Sequence, residues 1–380
     1  MKLKKITAIV LSAVMALSMG GCGKEKEKVN PDKLDSITDA VMVFDKYKKG
    51  EFDVTVDYDY AVGNQNAKLT YSAVGDRIDD NVRSGLYVSI DTYKGSAVIN
   101  MVNAITLYDD KLYLDFDRVV EAMSEAKTEI GSYGIPTPKL DSKKREELTK
   151  EIKDIGGGVI AAFLEGATVS GEKGEFTAKI QSVEDYRKSI SAVLNYFDTH
   201  RDTIDKFIKD LSGMVDVKAY LNDVVDDMQS DLLDASDILG LGLTKSSIDS
   251  LKREIDRIEI TEENTESMWE AFDRLKALYD EMTDEDWEQK YPTGGEYTTE
   301  ISVSAKEDSY DLKIKTVTIY EDASGYVTIT YSFRNRDDIK IEKPSNSKSL
   351  KEMANYFNEN PSALSSIYYG MQKFAKSMVK

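Results

Sequence analysis

Phe52-Asp53-Val54-Thr55-Val56-Asp57-Tyr58-Asp59-Tyr60-Ala61-Val62 decides the reading of the fold. Phe52, Val54, Val56, Tyr58, Tyr60 and Val62 alternate with Asp53, Thr55, Asp57, Asp59 and Ala61, and a period of two puts the two sets on opposite faces of an extended chain. The stretch therefore predicts a long strand with one wet and one covered face. The same alternation recurs downstream over Lys68 to Val74, Leu86 to Tyr93, Val98 to Tyr108 and Lys111 to Asp117. In the last of these Leu112, Leu114 and Phe116 share one side against Lys111, Tyr113 and Asp115, and Asp109-Asp110 before it reads as a tight hairpin. Residues 51 to 117 are thus expected to form an antiparallel meander.

Outward from this sheet the period changes. A short helix is expected from Leu34 to Lys48, with Ile37, Val41 and Phe44 on one side. After the meander, Asp117 is expected to cap a helix reaching about Ile130, which a loop holding Pro136 and Pro138 ends. A further helix over Ser142 to Ile155 should stop at Gly156-Gly157-Gly158, and a hairpin follows over Ala167 to Ser170 and Glu175 to Gln181. Ser182 and Asp185 resemble a capping box, and helical spacing then continues through Tyr186, Ile190, Leu194, Phe197, Ile204, Tyr220, Val224, Val225 and Met228. Gly240 and Gly242 break the run; Ile248, Leu251, Ile255 and Ile258, then a helix opening at Thr261, carry it to about Tyr291. Strands resume after Pro292-Thr293-Gly294-Gly295 with Tyr297 to Ala305 and Tyr310 to Ile314. Val317 and Ile319 take the other parity, which predicts a bulge. Val327 to Phe333 and a short strand at Ile339 and Ile341 complete the sheet, and helices start at Ser349 and at Pro361, with Asn360 before it as a natural cap. On the last helix Leu364, Ile367, Tyr368, Met371, Phe374 and Met378 share a side, with Lys373, Lys376 and Lys380 nearby; docking on the protein's own sheet is the expected role.

The chain start fixes where all this works. Lys2, Lys4 and Lys5 precede an apolar run from Ile6 to Met19 and the junction Met19-Gly20-Gly21-Cys22, which ends in the only cysteine. This resembles a bacterial lipoprotein leader, with Met19 where leucine is commonest, and the resemblance implies cleavage before Cys22 and acylation of its sulfur, palmitate being the kind of chain implied. The apolar run is shorter than the ~20 residues that cross a bilayer. The expected organisation is a signal peptide over 1–21, a lipidated Cys22 and charged tether over 22–30, a helix and sheet over 31–181, a helical insertion over 182–292, completing strands over 293–344 and terminal helices over 345–380. The protein is then expected to be held on the outer face of the cell membrane through its N-terminal lipid, contact of the last helix with the membrane or a partner being the alternative to its docking on the sheet.

Composition narrows the function classes. Three of the 50 basic residues lie in the leader, so 47 face 69 acidic residues and the net charge moves from −19 to −22. Such a surface repels nucleic acid. With Cys22 acylated no disulfide is available, and His200 as the only histidine excludes an HExxH zinc site.

Eleven strands interrupted by helices, behind a lipid anchor, resemble the LolA-like and LppX-like half-barrel proteins. Gly325 to Pro344, GYVTITYSFRNRDDIKIEKP, carries the nearest likeness, as a closing hairpin with the edge segment Ile339-Lys340-Ile341. The resemblance implies an α+β fold with a curved, half-barrel-like antiparallel sheet, a long helical insertion and C-terminal helices. It also implies a concave face that receives acyl chains, with Val54, Val56, Tyr58, Tyr60, Leu112, Leu114 and Phe116 as groove residues; the alternative is that these side chains pack against the helices. The expected function is non-enzymatic binding of a hydrophobic or amphiphilic ligand, without cofactor or metal. The alternative is an envelope scaffold whose helical block meets a protein partner not specified by the sequence.

Other motifs carry less. Asp53, Asp57 and Asp59 share a strand face with alternate residues about 7 Å apart, a spacing open to calcium or to plain solvation. Among 69 acids nothing selects a pair for glycoside hydrolysis, and with only Trp269 and Trp287 sugar stacking would have to rely on tyrosine. Ser124-Glu125-Ala126-Lys127 and Ser345-Asn346-Ser347-Lys348 match SxxK without a Lys-Thr-Gly partner. Gly156-Gly157-Gly158 and Gly240-Leu241-Gly242 lack the Lys-Ser/Thr of a phosphate loop and read as helix ends, and His200 is placed on a helix surface or at a break between helices.

Overall fold

Alternating sequence becomes eleven strands: β1 Lys49–Val62, β2 Gln65–Ile78, β3 Asn81–Thr92, β4 Gly95–Tyr108, β5 Lys111–Asp115, β6 Ser132–Pro136, β7 Thr168–Glu172, β8 Glu175–Ile180, β9 Glu296–Ala305, β10 Ser309–Tyr320 and β11 Ala323–Asn335. They form an open, curved antiparallel sheet in the order β6-β5-β4-β3-β2-β1-β11-β10-β9-β8-β7, and the α+β class is as expected. The helices are α1 Ile37–Met42, α2 Phe116–Ser124, α3 Ser142–Phe163, α4 Val183–Thr199, α5 Arg201–Met214, α6 Val217–Leu239, α7 Lys245–Asp256, α8 Glu262–Asp280, α9 Asp284–Lys290, α10 Leu350–Glu359 and α11 Pro361–Val379. The structure, a computed structural model, describes residues 29–124, 126–137, 142–214, 217–257, 262–292 and 294–379. The leader, Cys22 and most of the charged tether lie outside these residues, as do Glu125, Pro138, Ile258, Thr261, Thr293 and the side chains of 373–380. No described helix is long and apolar enough to cross a membrane.

The chain gathers into two compact units. The first takes the described residues of Met1–Ala67, Asp141–Leu211 and Thr261–Asp337, the second those of Lys68–Leu140, Ser212–Ile260 and Asp338–Lys380, so the helical block is divided between them.

In the first unit β1 pairs β11, β11 pairs β10, β10 pairs β9, β9 pairs β8 and β8 pairs β7, all antiparallel. Ile37, Val41 and Phe44 are buried as their spacing predicted, but α1 is only six residues long and a 3-10 turn, Val43–Lys46, follows it. Helix α3 corrects the expected stop at Gly156-Gly157-Gly158 by running through all three to Phe163. The glycines permit close packing instead: a Cβ on Gly158 would meet the Tyr196 ring of α4 within 2.3 Å, and one on Gly157 would reach Thr38 and Met42 of α1. The bulge expected near Val317 is also corrected. β10 keeps one register against both neighbours from Tyr310 to Ile319, and Val317 is buried beside Tyr326 on the face that also carries Lys313, Lys315 and Ile319. The capping box of Ser182 and Asp185 forms at the start of α4.

In the second unit β3 pairs β4, with the register shifting between Ser84 and Leu86, and β4 pairs β5. Asp109 and Asp110 both have positive φ, 50° and 57°, the geometry of the tight hairpin their sequence predicted. The strand after them ends two residues early, at Asp115. Asp115 rather than Asp117 caps α2, accepting from the Arg118 N–H at 3.2 Å, and α2 stops at Ser124. Asp117 ties the next segment down, accepting from Thr128 Oγ1, Ile130 N and Gly131 N at 2.8, 2.7 and 3.1 Å. That segment leads into β6, where a loop was expected. Ser132 in β6 bonds Asn346 Oδ1 at 2.6 Å and its backbone bonds Asn346 and Lys348, docking the stretch before α10. Ile339 and Ile341 form no strand, although Ile341 is buried. Helix α6 packs on α10 and on α7, where Val225, Ile248 and Ile255 form a small core and Leu251 stays exposed.

Candidate functional site

Register carries the apolar parity of β1 across the first unit. Phe52 lies opposite Phe333, Val54 opposite Tyr331, Val56 opposite Ile329, Tyr58 opposite Val327 and Tyr60 opposite Gly325. The next strands continue the face with Tyr310, Leu312 and Ile314, then Ala305, Val303 and Ile301, then Phe176 and Ala178. One end is sealed. Tyr47 packs its ring, tilted, 5.4 Å from Tyr310 and 5.8 Å from Phe333 and donates from its hydroxyl to Lys306 O at 2.6 Å, and Tyr310 donates to Val41 O at 3.0 Å. Burial drives the Tyr310 phenol well above its usual pKa, because the phenolate would lose its water. Beside the sheet's other end, Tyr186 of α4 meets Thr299 Oγ1, and desolvation pushes its phenol up to about 12 against the lowering effect of that bond. Tyr291 stacks between Tyr186 and Trp287, closing this part of the face.

Along β1 the same face opens. Phe52 is 6% exposed, Val54, Val56 and Tyr58 are half-buried, and Tyr60 is 55% exposed. Four predicted groove residues thus stand in one row, sealed below and uncovered above. The other three belong to the second unit. Leu112 is exposed between Leu107 and Ile135, and Leu114 is half-buried between Ile105 and Tyr133. Phe116 is no strand residue; it opens α2 and packs on the core of Val120, Ile130 and Met353. The buried side chain of β5 is Tyr113, assigned by alternation to the outer face, because Gly134 on β6 leaves room for its ring. The second unit has an apolar row of its own, pairing Leu86 with Met101, Val88 with Ile99 and Ile90 with Ala97, all half-buried.

The remaining motifs resolve structurally. His200 caps the C-terminus of α4 and stacks on Tyr196 at 4.2 Å. Ser124 Oγ donates to Val120 O, and Lys348 Nζ donates to Glu129 O, partners outside their SxxK motifs. Gly240 and Gly242, with φ of 63° and 70°, end α6. Among the described residues no group of three or more His, Cys, Asp or Glu is placed to hold a metal ion, and Asp53 accepts a hydrogen bond from Thr55 Oγ1 at 2.9 Å.

One feature escaped the sequence reading. The first unit's sheet holds an open depression of about 600 Å³, lined by Ser170, Thr177, Ser302, Lys313 and Thr330 together with Glu175, Asp311, Phe176, Val303, Leu312 and Tyr331. The first five carry the wet parity of their strands, and the register brings them together. The chain matches no protein-family model and no curated protein, so both features stand on their own geometry.

Proposed function

We propose that this chain is a lipid-anchored, extracytoplasmic, non-catalytic binding protein that holds a hydrophobic or amphiphilic ligand along the open row Val54, Val56, Tyr58 and Tyr60. The observation that carries the reading is the burial gradient on β1, from a sealed Phe52 to an exposed Tyr60 on one continuous apolar face. A contiguous apolar row left partly open to solvent is the kind of surface that meets a ligand. Each methylene laid on the row is worth about 0.8 kcal/mol. Ten of them give ~8 kcal/mol before association costs of ~4 kcal/mol or more, so a long acyl chain binds and a short one does not.

The test is a native mass spectrum of the chain purified without detergent, with organic extraction of copurifying material and titration with a fluorescent fatty acid. Extra mass that extracts as lipid, and uptake that grows with chain length, support the reading. A bare mass with no uptake removes it. A scaffold role is the second reading, favoured by exposed Leu239, Leu241 and Leu243 at the end of α6 and Leu364, Tyr368 and Met371 on α11; crosslinking in cells that recovers no protein partner counts against it. Anchoring is tested separately by Cys22→Ser, which should release the protein from the membrane fraction.

A further inference from the structure

Helix α11 turns one side into the second unit and another out to solvent. Ile367 packs on the core of Val120, Ile130 and Met353, and a Cβ on Gly370 would enter Ser124 of α2, so this side is closed. Leu364, Tyr368 and Met371, spaced by four and three residues, form a second stripe that is 49%, 59% and 45% exposed, and Tyr369 beside it is 68% exposed. Four large side chains gathered on one helix make a patch rather than the scattered apolar residues of an ordinary surface.

Charge sets this patch apart from the rest of the chain. Residues 360–380 hold three lysines and no aspartate or glutamate, the longest run without an acid after the leader, in a chain of net charge −19. The elements beneath the helix do not cancel that charge. Strand β4 has no charged residue. On α2, Asp117 is engaged by Thr128, Ile130 and Gly131, and Glu121 pairs with Arg118 at 3.5 Å. On α10, Glu352 caps its own helix at Ser349, and Glu359 is the last acid of the chain. A basic, apolar helix that ends an acidic chain orients the molecule in a field: a negatively charged surface attracts this helix and repels the remainder.

We propose that α11 docks flat on an anionic lipid surface, with Leu364, Tyr368, Tyr369 and Met371 at the boundary between headgroups and acyl chains and its lysine charge supplying the attraction to lipid phosphates. Tyrosine suits that boundary, because its ring is apolar and its hydroxyl is not. No described helix is long and apolar enough to cross a membrane, so α11 lies on the surface and does not span it. The proposal rests on the anchoring through Cys22 only to bring the protein to a membrane, and its test omits the lipid so that the two can fail separately.

The test is cosedimentation of the chain after its leader, carrying Cys22→Ser, with vesicles of phosphatidylcholine alone or of phosphatidylcholine and phosphatidylglycerol in equal parts. Binding to the anionic vesicles should be about tenfold stronger or more, and should be lost between about 0.1 and 1 M salt, where the Debye length falls from about 10 to 3 Å. Tyr368→Ser with Tyr369→Ser, and separately Lys373→Gln with Lys376→Gln, should each weaken it about tenfold. Leu278→Ser, 66% exposed on α8 of the first unit, should leave it unchanged. Both tyrosines are exposed, so their variants fold, which a thermal melt verifies. Uptake of a fluorescent fatty acid on the same samples reports the β1 row and tells a failed groove from a failed helix. Equal binding to the two vesicles, binding to neither, or the same loss from Leu278→Ser as from the α11 variants would each overturn the proposal. So would a dimer in sedimentation velocity that the tyrosine variant abolishes, which assigns the face to a second copy of the chain.

Discussion

Val56→Asp and Phe333→Ala make the sharpest contrast, because both residues belong to one apolar face and differ in what covers them. Phe333 is fully buried between Phe52, Tyr47 and Tyr310, and truncating a buried phenylalanine costs about 3–5 kcal/mol through lost contacts and the cavity left behind. Val56 is half-buried beside Ile329. If the row is open to water, an aspartate there keeps its hydration, and the loss is about 1 kcal/mol of apolar burial and strand preference. If helices seal the row, the carboxylate is buried without a partner and the loss rises to about 3–5 kcal/mol. Urea unfolding followed by tryptophan fluorescence and circular dichroism measures both variants, and uptake of a fluorescent fatty acid is read on the same samples. The expected result is a nearly native Val56→Asp that no longer takes up the probe, beside a strongly destabilised Phe333→Ala. Equal destabilisation by the two, or undiminished uptake by Val56→Asp, refutes the open groove.

Other consequences are equally direct. Gly158→Val should destabilise the first unit by about 1–3 kcal/mol, since its Cβ would enter the Tyr196 ring; an additional Tyr196→Ala should recover part of the loss in the same unfolding assay. Tyr310→Phe keeps the ring but leaves the Val41 carbonyl without its donor, a loss of about 1–3 kcal/mol in a melt. The alkaline limb of stability is set by buried phenols: Tyr186 releases its proton at about 12 when folded and at 10.0 when unfolded, so its stabilisation is complete below pH 10 and disappears as pH rises toward 12. Its slope is at most about 1.4 kcal/mol per pH unit, and Tyr186→Phe should flatten it.

Period-two and helical spacing made much of the architecture legible, because a strand that buries one face and a helix that buries one stripe write that fact locally. Phe52 to Val62, the hairpin at Asp109 and Asp110, the capping box at Ser182 and the helix starts at Ser349 and Pro361 all follow from neighbours within a few residues. Errors arose where a distant group decided the outcome. Gly156 to Gly158 look like a stop signal, yet Tyr196 and α1 turn them into a close-packing surface within one continuous helix. Ser132 to Pro136 is too short and too rich in glycine and proline to announce a strand, and becomes one through β5 and the backbone of Asn346. Tyr113 reads as outward by parity and is buried because Gly134 makes room.

The candidate sites divide along the same line. The sequence alone determined that Val54, Val56, Tyr58 and Tyr60 share a face, since alternation is a property of one strand. Tertiary structure alone decided that this face is sealed at Phe52 and open at Tyr60, and that Ser170, Thr177, Ser302, Lys313 and Thr330 form one row. The pairings that assemble the face from separate hairpins, Phe52 with Phe333 and Thr177 with Ser302, join segments more than 100 residues apart, and the hydrogen bonds that fix them are made by backbone groups every residue carries, so side-chain order along the chain does not encode them.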